Sequence, residues 1–189
     1  MRKIIVSNLV TLDGFFEGPD QELDWFVVEE EFFDYVKDLF QSVDTILYGR
    51  ITFLQMAAHW PTPAANENDP VITENMNSLQ KIVFSLTLTD QDVAASGWSN
   101  SKLVNKNIAA EVRKMKQQAG KDMVIFGSGK LINSFAEEGL IDEYRLILNP
   151  VILGKGNSLF KAGSERKDLK LLSTKTLGSG VVILVYATK

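Results

Sequence analysis

The sequence predicts an α/β fold of three layers, αβα, with a mostly parallel twisted sheet and antiparallel strands at its C-terminal end. Three observations predict it. Short apolar, β-branched runs alternate with amphipathic helical stripes along most of the chain. Glycines stand where several of these segments stop. The last third changes character and carries strand-like runs, two of them joined through Gly178-Ser179-Gly180. That order buries parallel strands between helices and leaves an antiparallel edge.

Lys3–Val10 is apolar and β-branched, which suits a buried strand. In 29–40, Phe32, Phe33, Val36, Leu39 and Phe40 share one side, with Glu30, Asp34, Lys37 and Asp38 opposite. That spacing is an amphipathic helix, and the acidic residues of its first turn match the helix dipole. Thr45–Tyr48 is a short strand ending at Gly49, with a helix from Ile51. The turn-rich stretch Trp60–Pro70 reads as a surface loop or lid inside one domain.

Lys81–Phe84 is the next strand. Ile108, Val112, Met115 and Ala119 mark a helix stopped by Gly120. Met123–Phe126 is a strand and Lys130–Glu138 a helix ending at Gly139. Tyr144–Leu153, Leu169–Leu177 and Val181–Ala187 complete the set, the last two as a hairpin.

With 189 residues, 45% of them hydrophobic, residues 1–189 suit a single domain. A net charge of −4 argues against nucleic-acid or membrane-surface partners, which call for a basic face. The absence of cysteine removes disulfides, thiolate nucleophiles and Cys-based metal sites. A cytoplasmic protein is the expectation.

Three strands end in small or hydroxyl residues: Gly49-Arg50-Ile51-Thr52, Ser85-Leu86-Thr87 and Gly127-Ser128-Gly129-Lys130. In an open α/β sheet, ligands bind beyond the carboxyl ends of the strands. A helix N-terminus there offers unpaired N–H groups and a positive dipole end to phosphate. Arg50 and Lys130 add charge at two of these junctions. Together they suit a polyanion such as a dinucleotide. Each signal alone is weak, since Gly127-x-Gly129 lacks a third glycine and a lone Gly-Arg is ordinary surface. His59, the single histidine, cannot build a triad or a metal site. Glu29-Glu30-Glu31 reads as a solvated helix start, and no metal site is expected.

Six segments carry a family resemblance. They are Ser7-Asn8-Leu9-Val10-Thr11-Leu12-Asp13-Gly14-Phe15, Tyr48–Phe53, Phe84–Leu88, Phe126–Leu131, Gly139–Tyr144 and Asn149–Phe160, whose "LIDEY" and "NPVILGKGNSLF" are the most specific. The chain resembles the dihydrofolate-reductase-like superfamily, in particular the RibD C-terminal reductase domain of riboflavin biosynthesis and its stand-alone bacterial members. The resemblance implies an NADPH-dependent reductase acting on a small polar heterocycle or a sugar-derived imine or carbonyl, like 5-amino-6-(5-phosphoribosylamino)uracil reductase.

By that resemblance Gly49, Arg50 and Thr52 would meet phosphates of the cofactor's adenosine half. Ser85 and Thr87 would line its ribose and 2′-phosphate. Gly127, Ser128 and Gly129 would hold the pyrophosphate, with Lys130 and Leu131 behind. Asp13 and Gly14 fall in the loop over the nicotinamide, and Asp13 is the candidate to assist protonation, a turn role being the alternative. Pro150, Gly154 and Gly156 would shape the substrate side. Trp25 and Phe26 either cover a planar ring or pack in the core.

Dihydrofolate reductase itself has a carboxylate on the first helix; the matching region here is Glu30-Glu31-Phe32-Phe33-Asp34, whose position nearest by spacing to Gly49 is aromatic and whose Asp34 lies on the polar face, so folate is the lesser reading. An inactive dinucleotide-binding or interaction protein on the same fold is one alternative. A phosphosugar- or nucleotide-binding module is another. Relatives dimerise, and the long apolar C-terminal strands imply a homodimer.

Overall fold

A computed structural model describes residues 1–189. Eight strands form one sheet: β1 (Ile4–Thr11), β3 (Val43–Gly49), β4 (Gln80–Phe84), β5 (Ser101–Val104), β6 (Asp122–Phe126), β7 (Glu143–Asn149), β9 (Leu169–Thr176) and β10 (Val182–Thr188). Their order across the sheet is β5-β4-β3-β6-β1-β7-β10-β9. The first six of that order run parallel, and β10 is antiparallel to both its neighbours, β7 and β9. A separate two-stranded ribbon joins β2 (Phe15–Glu17) to β8 (Asn157–Ser158).

Seven helices connect the strands: α1 (Glu30–Ser42), α2 (Arg50–His59), α3 (Pro63–Asn68), α4 (Pro70–Ser78), α5 (Asp90–Ala95), α6 (Ile108–Gln117) and α7 (Gly129–Glu137). Period-two alternation sends Ile4, Val6 and Val10 of β1 to the face packed by Val112 of α6 and Leu131, Ile132 and Phe135 of α7. Ile5 turns to the opposite face, where Leu39 and Phe40 of α1, Phe53 and Ala57 of α2, and Ile72 and Met76 of α4 pack. Helices therefore cover both faces, as the alternating pattern requires, and no helix is long and apolar enough to cross a membrane.

Several expectations are corrected. The stretch 60–70 contains α3 and the start of α4. Pro63 and Pro70 occupy helix starts, where the missing N–H costs nothing, and the Thr62 and Asp69 side chains cap the amides of Ala65 and Ile72. Helix α6 ends at Gln117, before Ala119. Strand β7 ends at Asn149, because Pro150 donates no ladder hydrogen bond. Strand β5 and the short α5, with its Thr89–Asp92 capping box, are additional to the expected elements. The hairpin is as expected, closed by Leu177 N–H to Val181 O at 2.8 Å.

Candidate functional site

Strands β4, β3 and β6 are neighbours and run parallel, so Ser85, Gly49 and Gly127 leave the sheet side by side. The three junctions share one edge.

Gly49 and Gly127 serve close packing. The Gly49 N–H donates to Ser128 Oγ at 2.9 Å, and a Cβ at Gly49 would stand 3.3 Å from that oxygen. Gly127 adopts φ +69°, the left-handed region, and a Cβ there would lie 3.1 Å from the Thr52 methyl. Its N–H donates to Asn8 Oδ1 at 2.8 Å, a contact from β1 that the sequence did not announce. These contacts draw the starts of α2 and α7 together.

Neither helix start is capped by a side chain. The N-cap of α2 is Gly49, and that of α7 is Ser128, whose hydroxyl is committed to Gly49. Their first-turn N–H groups stay free for an outside acceptor. Helices α3, α4 and α5 instead carry side-chain caps at Thr62, Asp69 and Thr89. Arg50 opens α2 and Lys130 lies in the first turn of α7. Both are exposed, and neither takes part in any of the seven ion pairs. A cation at a helix N-terminus opposes the dipole by about 0.3–1 kcal/mol. Two such cations beside two uncapped helix starts suit an anion. Helix α6 brings a third uncapped start to the same edge, with Lys106 two residues before it. The sequence reading missed it with β5.

The remaining candidates divide. Thr52 is buried against Gly127. Ser85 is buried too, and its Oγ accepts from the N–H groups of Thr87 and Leu88, at 3.1 and 3.0 Å. It braces its own turn and leaves Thr87 exposed at the edge. Leu131 belongs to the core. Gly129 lies beneath the Phe16 ring, so close that a Cβ would come within 2.8 Å of it.

Asp13 is a clip. Its carboxylate accepts from Thr11 Oγ1 at 2.6 Å, Gly154 N–H at 2.8 Å and Leu153 N–H at 3.3 Å. The Thr11 hydroxyl foremost, then these amides, hold its pKa below the ordinary aspartate value. A carboxylate kept ionised has no proton to give, so its environment favours the turn role over the proton-supplying one. Gly14 and Gly156 belong to the same junction: Leu159 N–H donates to Gly14 O, and a side chain at Gly156 would strike the Glu17 carbonyl. Pro150 packs beside Gly180 of the hairpin turn.

The segment 18–28 spans the crevice. Its Gln21 meets Gln55 of α2 at 3.2 Å, and its Val27 N–H reaches Asn149 Oδ1 at the end of β7 at 2.9 Å. Trp25 lies between those anchors, edge-on to Phe26, with its indole N–H buried and unpartnered. Two surface cavities, of about 410 and 440 Å³, lie elsewhere. One adjoins Tyr144 at the N-terminal end of β7, the other α5 and β5. Neither gathers the groups of the crevice. No cluster of three or more His or acidic residues is placed to hold a metal ion.

The RibD C-terminal domain family model matches residues 2–183. The uncharacterized protein YyaP of Bacillus subtilis (strain 168) is 37% identical over 185 residues, covering 98% of this chain and 94% of that one. A Thermotoga maritima diaminohydroxyphosphoribosylaminopyrimidine deaminase/5-amino-6-(5-phosphoribosylamino)uracil reductase superposes with TM-score 0.68 at 12% identity, over all of this chain and 57% of that one. Enterococcus faecalis dihydrofolate reductase, complexed with NADP(H), superposes with TM-score 0.66 at 11% identity, over 99% and 96% of the two chains. The three-layer fold is that of dihydrofolate reductase.

Proposed function

The chain belongs to the RibD C-terminal domain family, and from that premise we propose that it is an NADPH-dependent reductase of a small polar heterocycle or sugar-derived imine or carbonyl. One observation carries the reading. Two uncapped helix starts, each bearing a cation that no carboxylate neutralises, meet at the ends of three adjacent parallel strands. The residues fit a dinucleotide phosphate chain. Free N–H groups of α2 and α7 would donate to its oxygens, and Arg50 and Lys130 would balance its charge. Thr87 and Lys106 flank the next junction, where a 2′-phosphate would favour NADPH over NADH. Bound there, the nicotinamide would supply hydride. The protein's part is to orient it and exclude water, which suits the segment 18–28 arching from β2 to α2.

The favoured substrate is 5-amino-6-(5-phosphoribosylamino)uracil or a close relative, a reading supported by family membership and by the Thermotoga maritima neighbour. We also propose a homodimer through β9, an edge strand with Leu171 and Leu172 about half exposed.

Titration of the purified protein with NADPH and with NADH tests the reading. NADPH is expected to bind more tightly, and no binding of either at several hundred micromolar overturns it. Binding with no oxidation across a panel of reducible heterocycles would make the chain a dinucleotide-binding protein instead.

A further inference from the structure

Beneath α1 lies a polar chain that the cofactor crevice does not use. Ser7 of β1 faces the α1 side of the sheet with Ile5, and its Oγ lies 3.1 Å from the Tyr35 hydroxyl. The guanidinium of Arg145 on β7 stands beside that hydroxyl, and its Nε donates to Glu143 Oε1 at 2.7 Å. Glu143 also pairs with Lys3 Nζ at 3.4 Å. Ser7 is 5% exposed, Tyr35 is partly covered and the Arg145 side chain is 21% exposed, so one end of the chain is dry and the other meets water.

The register places the dry end. Ser7 pairs with Phe126 on one side and with Arg145 on the other, and Phe126 is the residue before Gly127. Asn8, next to Ser7, holds the Gly127 N–H. Ser7 thus sits one residue below the proposed pyrophosphate junction, on the face that carries α1 and α2.

We propose that Tyr35 is the proton source for the reduction and that Ser7 relays the proton into the cleft. This rests on the reductase reading. Addition of hydride from a reduced nicotinamide to a C=N or C=O carbon leaves the nitrogen or oxygen needing a proton, and Asp13 is held ionised. In the relay the Tyr35 O–H bond breaks as a new O–H bond forms on Ser7. The proton that Ser7 held passes to the substrate nitrogen or oxygen. The phenolate left behind faces Arg145, and it regains a proton from the water that reaches the guanidinium. Burial keeps the Tyr35 hydroxyl protonated at neutral pH, while Arg145 works in the opposite direction and favours its ionised form. Glu143 fixes the guanidinium, with Lys3 paired to Glu143 in turn, and the Glu143 charge works against ionisation of Tyr35.

The test has two arms. In turnover of 5-amino-6-(5-phosphoribosylamino)uracil, Tyr35→Phe should lower kcat by about 100-fold, the lower end of the range for a positioned acid. KM and the NADPH Kd should stay as in the wild type, and Ser7→Ala should behave likewise if the phenylalanine variant folds poorly. The second arm needs no turnover. The protein has four tyrosines, so a sample labelled with 13C at tyrosine Cζ gives four resonances, that of Tyr35 identified by its loss in Tyr35→Phe. Saturation with NADP+ should move the Tyr35 resonance and leave those of Tyr144 and Tyr186, at the far end of the strands, in place. Arg145→Met should raise the pH at which the Tyr35 resonance titrates. NADP+ binding with a stationary Tyr35 resonance overturns the relay, as does wild-type kcat in Tyr35→Phe. Failure of the wild type to bind NADP+ overturns the reductase reading instead.

Discussion

The backbone N–H of Gly49 donates to the hydroxyl of Ser128 across 79 residues of chain, at 2.9 Å. That one bond removes the serine from its own helix as a cap and brings the start of α7 against the start of α2. Two helix dipoles then point at a common volume, where an anion would offset the repulsion between their positive ends.

Charge removal at these starts should separate binding from stability. Arg50→Gln and Lys130→Gln each delete a cation that opposes a dipole. Each variant should be as stable as the wild type or more so, by up to about 1 kcal/mol. NADPH binding should weaken about tenfold per substitution, the loss of one charge-assisted hydrogen bond. Urea midpoints alongside cofactor titration decide it, and unaltered affinity in the double variant would remove the proposed phosphate site.

Gly127→Ala places a Cβ at φ +69°, 3.1 Å from the Thr52 methyl. The left-handed backbone alone costs about 1–2 kcal/mol. The variant should unfold at lower urea and bind NADPH less tightly. Adding Thr52→Ser, which deletes the opposing methyl, should recover part of the stability.

Asp13→Asn tests the clip. The carboxylate's pKa is lowered from its unfolded value of 3.8, so its stabilisation is present above that value and disappears as pH falls through the lower folded pKa. Thermal midpoints of wild type and variant should differ at pH 6 and converge in strong acid. Turnover should survive with a modest loss. Abolished turnover in a protein that still binds NADPH would restore Asp13 as the proton donor.

Lys81 gives an alkaline counterpart. Its ammonium is buried, donates to Met76 O and Asn77 O at 3.1 and 2.7 Å, and lies 4.8 Å from the centre of the Trp98 ring. Burial pushes it down to about 8 from 10.5. The folded state therefore releases this proton before the unfolded chain does. The penalty is fully present below about pH 8 and is relieved as pH climbs to 10.5, so stability from this group rises over that window. The difference in unfolding free energy between wild type and Lys81→Met, followed from pH 7 to 10.5, should shift in the wild type's favour.

The failures of sequence reading have common causes. Trp60–Pro70 looked like a loop because Pro and Asn mark turns, yet the same residues start and cap helices. Strand β5 is four residues, Ser101–Val104, with one of them buried, too short for a period to emerge. The contacts that Asn8, Phe16 and Ser128 make carry no local signature, since each is to a residue distant in the chain. The role of Asp13 is ambiguous for the same reason: its partners Leu153 and Gly154 lie 140 and 141 residues away.

From residue order alone come the alternation of strand and helix, the antiparallel ending, the three Gly- or Ser-headed junctions and the family motifs. These are properties of neighbours along the chain, set by periodicity and by backbone limits at glycine and proline. Whether the junctions meet depended on strand order, because β3, β4 and β6 become adjacent only through crossovers that no local pattern encodes. The free helix starts, the diverted Ser128 hydroxyl and the chain from Ser7 to Arg145 follow from that adjacency. Hydrogen bonds and uncompensated charge are decided by what lies within a few ångströms, and only the folded sheet determines that.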